Sequence, residues 1–428
     1  MKTNNMYMLD NAAKIYPAAM SKKWNMVYRV SAYLKSEIKP EILKKAAADL
    51  APRFPTFYVQ LHKGAYWFYL RKISDFDMVS KDTGAVCKPM EIGGEKPLFR
   101  ILYNDNRISV ELFHVLTDGT GATIYLKTLI ARYFELQGHH IEKADGILDI
   151  NDKPSNNEIE DSYQALYKKG CGISRKEPDA YQWKTEKNHD DFNLTQGVIS
   201  IDTLKAVTKQ EYNCTITEYL TAVYAYSFLQ HYEKDGGIIN SNRPIKISVP
   251  VNLRPYFGSQ TVRNFASFVN VEIYPQKTKT LKDIIPVIRE QMNSLISKDR
   301  LKRMVSQNVH EEKMFISKIA PNFLKTPVMK ICYNMFGDRK YTSTLSNIGL
   351  IKLPESLSSF VDRFDFVLGG GVGLNAMGCA VIGFKNKLTV SFSSVSKDTS
   401  VVNSFFDMLI KDGVTVSFNS NDKETEAA

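Results

Sequence analysis

The sequence predicts an α/β (α+β) protein with two domains, each a mixed β-sheet flanked by helices. Short segments of alternating apolar and polar residues, which are typical of strands, occur in both halves of the chain. Segments with apolar residues at helical intervals stand between them. The length of 428 residues exceeds that of a usual single-core domain. No repeat of about 20 to 50 residues is visible, which excludes solenoids and propellers.

The first third of the chain leads to a strand-turn-helix unit. Alternating residues predict a strand over 24–34, and helical spacing predicts a helix over 40–50. Residues 100–103 and 108–113 predict a hairpin, because the intervening Asn104-Asp105-Asn106 tolerates left-handed turn conformations. Residues 122–136 then carry apolar side chains at helical intervals. His114 therefore lies where a strand ends and a helix is about to begin.

A polar segment near the middle of the chain separates two parts that each contain predicted strands and helices. The segment after about residue 144 is rich in Asp, Lys, Asn and Gly, which is typical of a crossing linker. We expect an N-terminal domain over 1–150, a linker or crossover over 151–193 and a C-terminal domain over 194–418. The polar tail 419–428 is expected to be disordered.

The C-terminal domain again mixes strands and helices. Thr215 and Glu218 form a capping pair that predicts a helix start, and Thr280 with Asp283 predicts a second one, over 281–304. Strands are predicted at 197–201, 245–251, 265–273, 380–384, 388–393 and 414–418, and a helix at 401–410.

Composition excludes several classes of protein. The net charge is +10, but cations and anions are interspersed, which argues against a nucleic-acid-binding arm. The five cysteines lack the CxxC or CxxH spacing of a disulfide framework or zinc site, so we expect no metal. The N-terminus has no apolar signal-peptide core and no segment resembles a membrane span, so we expect a cytoplasmic protein.

The segment His114-Val115-Leu116-Thr117-Asp118-Gly119 is the best candidate for catalysis. Acyl transfer from a thioester to an alcohol or amine needs a base for the acceptor proton, and His114 is the best-placed base in the chain. Asp118 is expected to fix the loop and Gly119 to permit its turn. The pattern is short, however, and Asp-Gly is above all a turn signal, so a structural interpretation stays open.

A buried Asp118 would need a partner, because an unpaired buried carboxylate costs several kcal/mol. The candidate is Arg254 in Val249-Pro250-Val251-Asn252-Leu253-Arg254-Pro255. We predict an Asp118–Arg254 ion pair that couples the two domains.

Several segments carry a family resemblance. The run from Met8 to Pro17 (MLDNAAKIYP), Arg53-Phe54-Pro55 and the aromatic Tyr66-Trp67-Phe68-Tyr69-Leu70 resemble bacterial proteins called alcohol acetyltransferase-like. Pro250-Val251-Asn252-Leu253-Arg254 is similar to the segment whose arginine pairs with the motif aspartate, and Ser346-Asn347-Ile348-Gly349 resembles a channel-facing strand end. With the HxxxDG motif, the chain resembles the CoA-dependent acyltransferase superfamily, which includes chloramphenicol acetyltransferases and condensation domains. Phe113 stands where many relatives have a first histidine, and the plant-type DFGWG segment is missing.

The resemblance implies two chloramphenicol acetyltransferase-like domains in a V shape, with a channel between them. It implies acyl-CoA, with acetyl-CoA favoured, as co-substrate, and a small-molecule alcohol or amine as acceptor. His114 would be the general base, with Asp118, Gly119 and Arg254 as structural support and Ser346 or Asn347 as candidate oxyanion or channel residues. One alternative is condensation-like ester or amide formation from a donor on an acyl carrier protein; another is a non-catalytic binding or docking role.

Overall fold

The computed structural model contains fifteen strands and thirteen α-helices in its described part. It describes residues 6–20, 26–74, 77–90, 96–173, 177–187, 193–234, 243–314, 321–369 and 375–418. The strands β1 to β15 are Met6–Met8, Val27–Leu34, Val59–Lys63, Phe68–Lys72, Val79–Lys81, Phe99–Asn104, Arg107–Phe113, Asn193–Ser200, Ile245–Asn252, Ala266–Ile273, Ser343–Ile351, Val361–Leu368, Met377–Phe384, Lys387–Ser394 and Val416–Phe418. The helices α1 to α13 are Tyr16–Ala19, Pro40–Leu50, Gly119–Glu135, Asn156–Ile159, Ser162–Leu166, Ile201–Gln210, Ile216–Lys234, Arg254–Phe257, Leu281–Leu295, Lys298–Lys313, Asn322–Phe336, Glu355–Ser358 and Ser400–Lys411.

The strands form three mixed or antiparallel sheets flanked by helices. The largest has seven strands in the order β10-β9-β11-β13-β14-β8-β15, with parallel pairing of β11 to β9 and to β13. Its core is shared with α7, which packs against α9 and α13. Apolar side chains from both faces of β13 are buried: one face packs in the core that contains the helices, and the other packs against β12 and the core of the five-stranded sheet.

The five-stranded sheet carries the motif. Its order is β12-β2-β7-β6-β5, and α3 packs on β2 and β7 together with α2. Strand β12 comes from the C-terminal half of the chain and pairs antiparallel with β2, with Phe364 opposite Ala32. The sheet of the N-terminal half is therefore completed by a strand far away in sequence. A small third sheet has the order β1-β4-β3.

A buried charge cluster crosses this five-stranded sheet. Arg29 donates to Glu111 Oε1 and Asp82 Oδ2, each at 2.8 Å, and Arg100 and Arg107 complete the pairing of the two carboxylates. Burial acts to raise the pKa of Asp82, but Arg29, the Gly84 N–H and Arg107 together outweigh it, and the pKa is lowered. The cluster satisfies polar groups inside the sheet that would otherwise be costly to bury.

Several predicted elements are confirmed. The helix Pro40–Leu50 has the predicted bounds, and the hairpin β6–β7 turns through Asp105, whose φ of 45° is left-handed. Thr215 and Glu218 exchange backbone-to-side-chain hydrogen bonds of 2.8 and 3.2 Å, which is a capping box at the start of α7.

The predicted helix over 281–304 is wrong as one element. It divides into α9 and α10, because Ile296 leaves the helical conformation (φ −100°, ψ 53°) and Ser297 caps the next helix. The predicted strand over 197–201 ends at Ser200, and the helix α6 that follows was missed. Helix α11 and strand β12 were also missed.

Among the described residues, no helix is both long enough and apolar enough to cross a bilayer. The predicted disordered tail, 419–428, lies outside the described residues. The division into domains at 150 and 193 stays a prediction. The pairing of β12 with β2 shows that a strand from the C-terminal half belongs to the sheet of the N-terminal half.

Candidate active site

His114 directly follows β7 at the start of a tight turn. Its backbone N–H donates to the carbonyl of Met26 at 2.9 Å, which ties the end of β7 to β2. Helix α3 begins at Gly119, with Asp118 as its N-cap accepting from the N–H groups of Thr120 and Gly121, each at 3.1 Å. The predicted strand-turn-helix placement is confirmed.

Two tyrosine rings hold the His114 imidazole. The ring centroid of Tyr16 lies 4.5 Å away and that of Tyr28 lies 5.0 Å away. The Tyr28 hydroxyl donates to the Thr117 carbonyl at 3.0 Å, so that ring is itself fixed to the motif turn. His114 is half-buried.

Asn264, which is itself bonded to Asp10, determines which nitrogen of the His114 imidazole carries the proton. The amide nitrogen of Asn264 donates to the His114 carbonyl at 3.1 Å and to Asp10 Oδ2 at 3.2 Å. Its oxygen, Oδ1, lies 3.1 Å from His114 Nδ1 and must accept, because its nitrogen is already committed to two acceptors. The proton therefore resides on Nδ1, and Nε2 carries the free lone pair.

Burial lowers the pKa of His114 below its ordinary value of 6.5. The carboxylates of Asp118 and Asp10 and the bond to Asn264 act in the opposite direction and do not reverse the shift. Burial also raises the pKa of Asp10 above 3.8, against the charge of Arg263. The imidazole is consequently neutral at pH 7.

The predicted ion pair between Asp118 and Arg254 is present. Arg254 Nη1 lies 2.9 Å from Asp118 Oδ2, and both side chains are buried. The same carboxylate oxygen accepts from the Phe265 N–H at 2.7 Å. Burial acts to raise the pKa of Asp118, but Arg254 and these bonds outweigh it and hold the pKa below 3.8.

Arg254 also fixes the segment that carries Asn264. Its Nε donates to the Thr261 carbonyl at 2.8 Å and its Nη2 to the Arg263 carbonyl at 2.6 Å. Because Asp118 binds the N–H of Phe265 at the same time, one ion pair determines where residues 261–265 lie. The aspartate four residues after His114 thus positions the side chain that binds His114.

Close approach requires glycine at position 121, and position 119 is also tightly packed. A Cβ on Gly119 would lie 3.0 Å from Ile348 Cδ1, and one on Gly121 would lie 2.0 Å from Thr117 Oγ1 and 2.2 Å from the Val262 carbonyl. Gly119 was predicted to permit the turn, yet it is the first residue of α3 and has no left-handed backbone conformation. It lies against the flexible Ile348 side chain of β11, which would have to shift to admit a Cβ.

Ser346 and Asn347 lie on β11, next to the Ile348 that contacts Gly119. The Asn347 amide donates to Thr217 Oγ1 at 3.0 Å and its oxygen accepts from the Gly349 N–H at 2.8 Å. Neither bond involves His114. Ser346 is partly exposed on the same strand.

A metal site is not formed by the residues that the structure describes, which contain no cluster of three or more His, Cys, Asp or Glu.

Sequence reasoning missed Asn264, Asp10 and the two tyrosines. Asp10 and Tyr16 fall in a segment whose family pattern was noticed, but the pattern assigns them no role. Asn264 is 150 residues from His114, and its neighbours form no local motif that would single it out. Only the fold brings these side chains together.

No family model matches the chain, and no curated protein sequence matches it significantly. Solved structures match over nearly its whole length. F. graminearum TRI101 in complex with coenzyme A and deoxynivalenol has a TM-score of 0.63 and 11% identity, covering 95% of this chain and 97% of that one. TRI3 trichothecene 15-O-acetyltransferase from Fusarium sporotrichioides has a TM-score of 0.61 and 10% identity, covering 96% and 95%.

A condensation domain matches equally well. A mutant of the starter condensation domain of rhizomide synthetase, in complex with C8-CoA and Leu-SNAC, has a TM-score of 0.60 and 13% identity, covering 95% of this chain and 93% of that one. The chain therefore has the fold that chloramphenicol acetyltransferase-like acyltransferases share with condensation domains.

Proposed function

We propose that this protein transfers an acyl group from acyl-CoA to the hydroxyl or amine of a small molecule, with His114 as general base. The observation that carries the proposal is the Asp10–Asn264–His114 arrangement. It holds a half-buried, neutral imidazole with its Nδ1 protonated and its Nε2 lone pair free. A base for proton transfer at pH 7 needs this protonation state.

In the proposed reaction, Nε2 accepts the proton of the attacking O–H or N–H as the acceptor atom bonds to the thioester carbonyl carbon. The tetrahedral intermediate then expels the thiolate as the C–S bond breaks. The imidazolium returns its proton to the sulfur, giving the acylated product and free CoA. The bond from Nδ1–H to Asn264 stabilises the transient imidazolium charge.

Asp118 and Arg254 support this geometry without touching substrate in the proposal. The oxyanion donor is proposed to be Ser346, because the Asn347 amide is already engaged with Thr217. Such a donor contributes on the order of 3 kcal/mol to transition-state stabilisation. Asn347 then orders the strand end beside Gly119.

The solved neighbours support the choice of donor. TRI101 is solved with coenzyme A or ethyl coenzyme A, and the starter condensation domain with C8-CoA. We propose acetyl-CoA as the favoured donor and a channel between the two domains that brings it to His114. A cytoplasmic location is part of the same proposal, since acyl-CoA is a cytoplasmic metabolite.

A second candidate is condensation-like ester or amide formation from an acyl group on a carrier protein. The match to the starter condensation domain favours it, because that domain covers this chain as fully as the acetyltransferases do. A third reading, a non-catalytic docking protein, gains no specific support from the intact His114 site.

The test is acceptor-dependent release of free thiol from acetyl-CoA and longer acyl-CoAs, with a panel of alcohols and amines. The wild-type chain is compared with His114→Ala and with His140→Ala, an exposed histidine that serves as matched control. Loss of a general base lowers kcat by about 10²- to 10⁴-fold. The control should retain wild-type turnover.

Equal turnover in wild type and His114→Ala would contradict the role of His114. Turnover only with a carrier-bound donor would replace the acyl-CoA proposal by the condensation reaction. No turnover with either donor class would leave the docking role as the better account.

A further inference from the structure

Glu312 lies in the last turn of α10 and binds residues of other elements. Its Oε2 accepts from the Asn11 amide at 2.6 Å and from the Gln164 amide at 3.0 Å. Its Oε1 accepts from the Lys14 ammonium at 2.5 Å. Gln164 belongs to α5, and the other two donors precede α1. Glu312 therefore connects the end of α10 to α5 and to the start of the chain.

The position of this carboxylate is unfavourable for α10 itself. The last turn of a helix carries a partial negative charge, which disfavours an acidic side chain there. Glu311, in the same turn, accepts from Gln307 within α10. Among the described residues, Glu312 has side-chain partners only outside α10, and its ion pair with Lys14 is largely shielded, with side chains 18% and 11% exposed. Its contacts thus serve the placement of other segments.

Asn11 is bonded to two helices at once. Its amide also donates to the Asn308 carbonyl of α10 at 3.4 Å, and its backbone N–H donates to Asp161 Oδ2 at 3.0 Å. Asp161 is the N-cap of α5 and accepts from the Tyr163 N–H at 3.1 Å. The position of Asn11 therefore depends on both α5 and α10.

The residues on either side of Asn11 reach the candidate base. Asp10 accepts from the Ala13 N–H at 2.8 Å and from the Asn264 amide at 3.2 Å. Tyr16 follows a single 3-10 turn later, and its ring centroid lies 4.5 Å from that of His114. Because the Asp10 side chain closes the turn, residues 10–16 form one compact unit. A displacement of this unit would move both Asp10 and Tyr16 relative to the imidazole.

We propose that Glu312 is a positioning residue for His114, which acts through Asn11 and Lys14 on the unit formed by residues 10–16. It touches no substrate. Its effect on catalysis rests on the proposed role of His114 as general base, whereas its effect on the imidazole does not. A misplacement of about 1 Å can lower a rate by about 100-fold, even when its cause lies far from the reacting atoms.

The experiment is an NMR titration of His114 without substrate, in protein labelled with ¹³C in its histidine rings. The signal that disappears in His114→Ala assigns the resonance. Wild type is compared with Glu312→Ala and Lys14→Met, which break the same ion pair from opposite sides. Glu311→Ala removes the same charge from the same helix turn and is the matched control.

Two further measurements accompany the titration. Hydrogen exchange followed by mass spectrometry reports on residues 10–16, and circular dichroism checks that each variant is folded. Lys14→Met keeps the test decisive if Glu312→Ala fails to fold.

We expect Glu312→Ala and Lys14→Met to speed amide exchange in residues 10–16 by about tenfold or more. Burial is the largest cause of the lowered pKa of His114, so a less firmly held Tyr16 should let that pKa rise towards 6.5. Glu311→Ala should match wild type in both measurements.

A His114 that titrates in both variants as in wild type would overturn the proposal, even with faster exchange, because Glu312 would then only stabilise local structure. An equal shift in Glu311→Ala would also overturn it, since the charge of the helix end and not the contacts would be the cause. A wild-type protein without acyl transfer would contradict only the proposed function, because the titration needs no turnover.

Discussion

At the scale of single residues, the candidate site depends on which imidazole nitrogen carries the proton. Asn264 decides this, because its amide nitrogen serves Asp10 and the His114 carbonyl and leaves only its oxygen for Nδ1. The three bonds make Asn264 a positioning residue in the proposed reaction. Its influence should be visible in the pH dependence of catalysis as well as in its rate.

Asn264→Leu tests this influence. In the wild type the pKa of His114 lies below 6.5, so kcat/KM should fall only below that pH, as the base becomes protonated. The bond to Asn264 raises this pKa, so in the variant the acid limb should move to lower pH. Losing a hydrogen bond to the transient imidazolium should lower kcat by about 10- to 100-fold.

The measurement is kcat and kcat/KM against pH for both proteins, with circular dichroism to confirm folding. A loss of rate with an unmoved acid limb would indicate that Asn264 only supports the fold. An acid limb above pH 6.5 in the wild type would contradict the neutral, desolvated imidazole.

At the scale of elements, one ion pair connects α3 to the segment before β10. Asp118 caps α3 and binds both Arg254 and the Phe265 N–H, so it links the start of the helix directly to the Asn264 segment. Breaking a buried pair from one side leaves an uncompensated charge, whereas removing both partners does not.

Arg254→Leu should therefore lower the free energy of unfolding by about 3 to 5 kcal/mol at pH 7. The double variant Asp118→Asn/Arg254→Leu should be less destabilised than the sum of the two single variants. Asp118 has a pKa below 3.8, so its stabilisation is present above that value and lost as the pH falls through the folded-state pKa.

Chemical denaturation of the three variants at pH 7 and in acid measures these effects. Arg132→Leu, which breaks the more exposed pair with Asp49, is the control and should change the free energy of unfolding by about 0 to 1 kcal/mol. Strictly additive effects would show that Asp118 and Arg254 are not energetically coupled.

At the scale of the whole molecule, the halves of the chain are not independent. Strand β12 pairs with residues 28–34 of β2, and seven of the eight residues of β2 are buried. Without β12, β2 would be an exposed sheet edge with unpaired backbone groups and apolar side chains. The N-terminal sheet is therefore incomplete until the C-terminal half has been made.

A chain of residues 1–192 expressed alone should consequently not unfold cooperatively and should aggregate. Co-expression with residues 193–428 should restore a soluble complex, because it supplies β12. Thermal unfolding followed by circular dichroism distinguishes the cases. A cooperative transition in the isolated N-terminal fragment would show that β12 is dispensable to this sheet.

Local sequence patterns determined much of this protein. Helical spacing fixed the bounds of α2, the Asn-Asp-Asn turn fixed the β6–β7 hairpin, and the motif placed His114 and Asp118 at a strand end and a helix start. The cost of burying a lone carboxylate predicted a partner for Asp118, and the family resemblance of residues 250–254 supported Arg254 as that partner. Periodicity and turn propensity act between residues close in sequence, and a buried carboxylate needs a partner wherever that partner lies in the chain.

The contacts between segments far apart in sequence became known only from the tertiary structure. Asn264 binds His114 across 150 positions and β12 joins β2 across more than 300, and no local periodicity encodes such pairings. Helix α11 carries apolar residues at helical spacing, among them Leu324, Val328 and Ile331, but they face outward, so the rule that apolar spacing marks the buried side assigns its faces wrongly. The local sequence placed His114 at the start of its turn, whereas the packing of distant segments determined which imidazole nitrogen carries the proton.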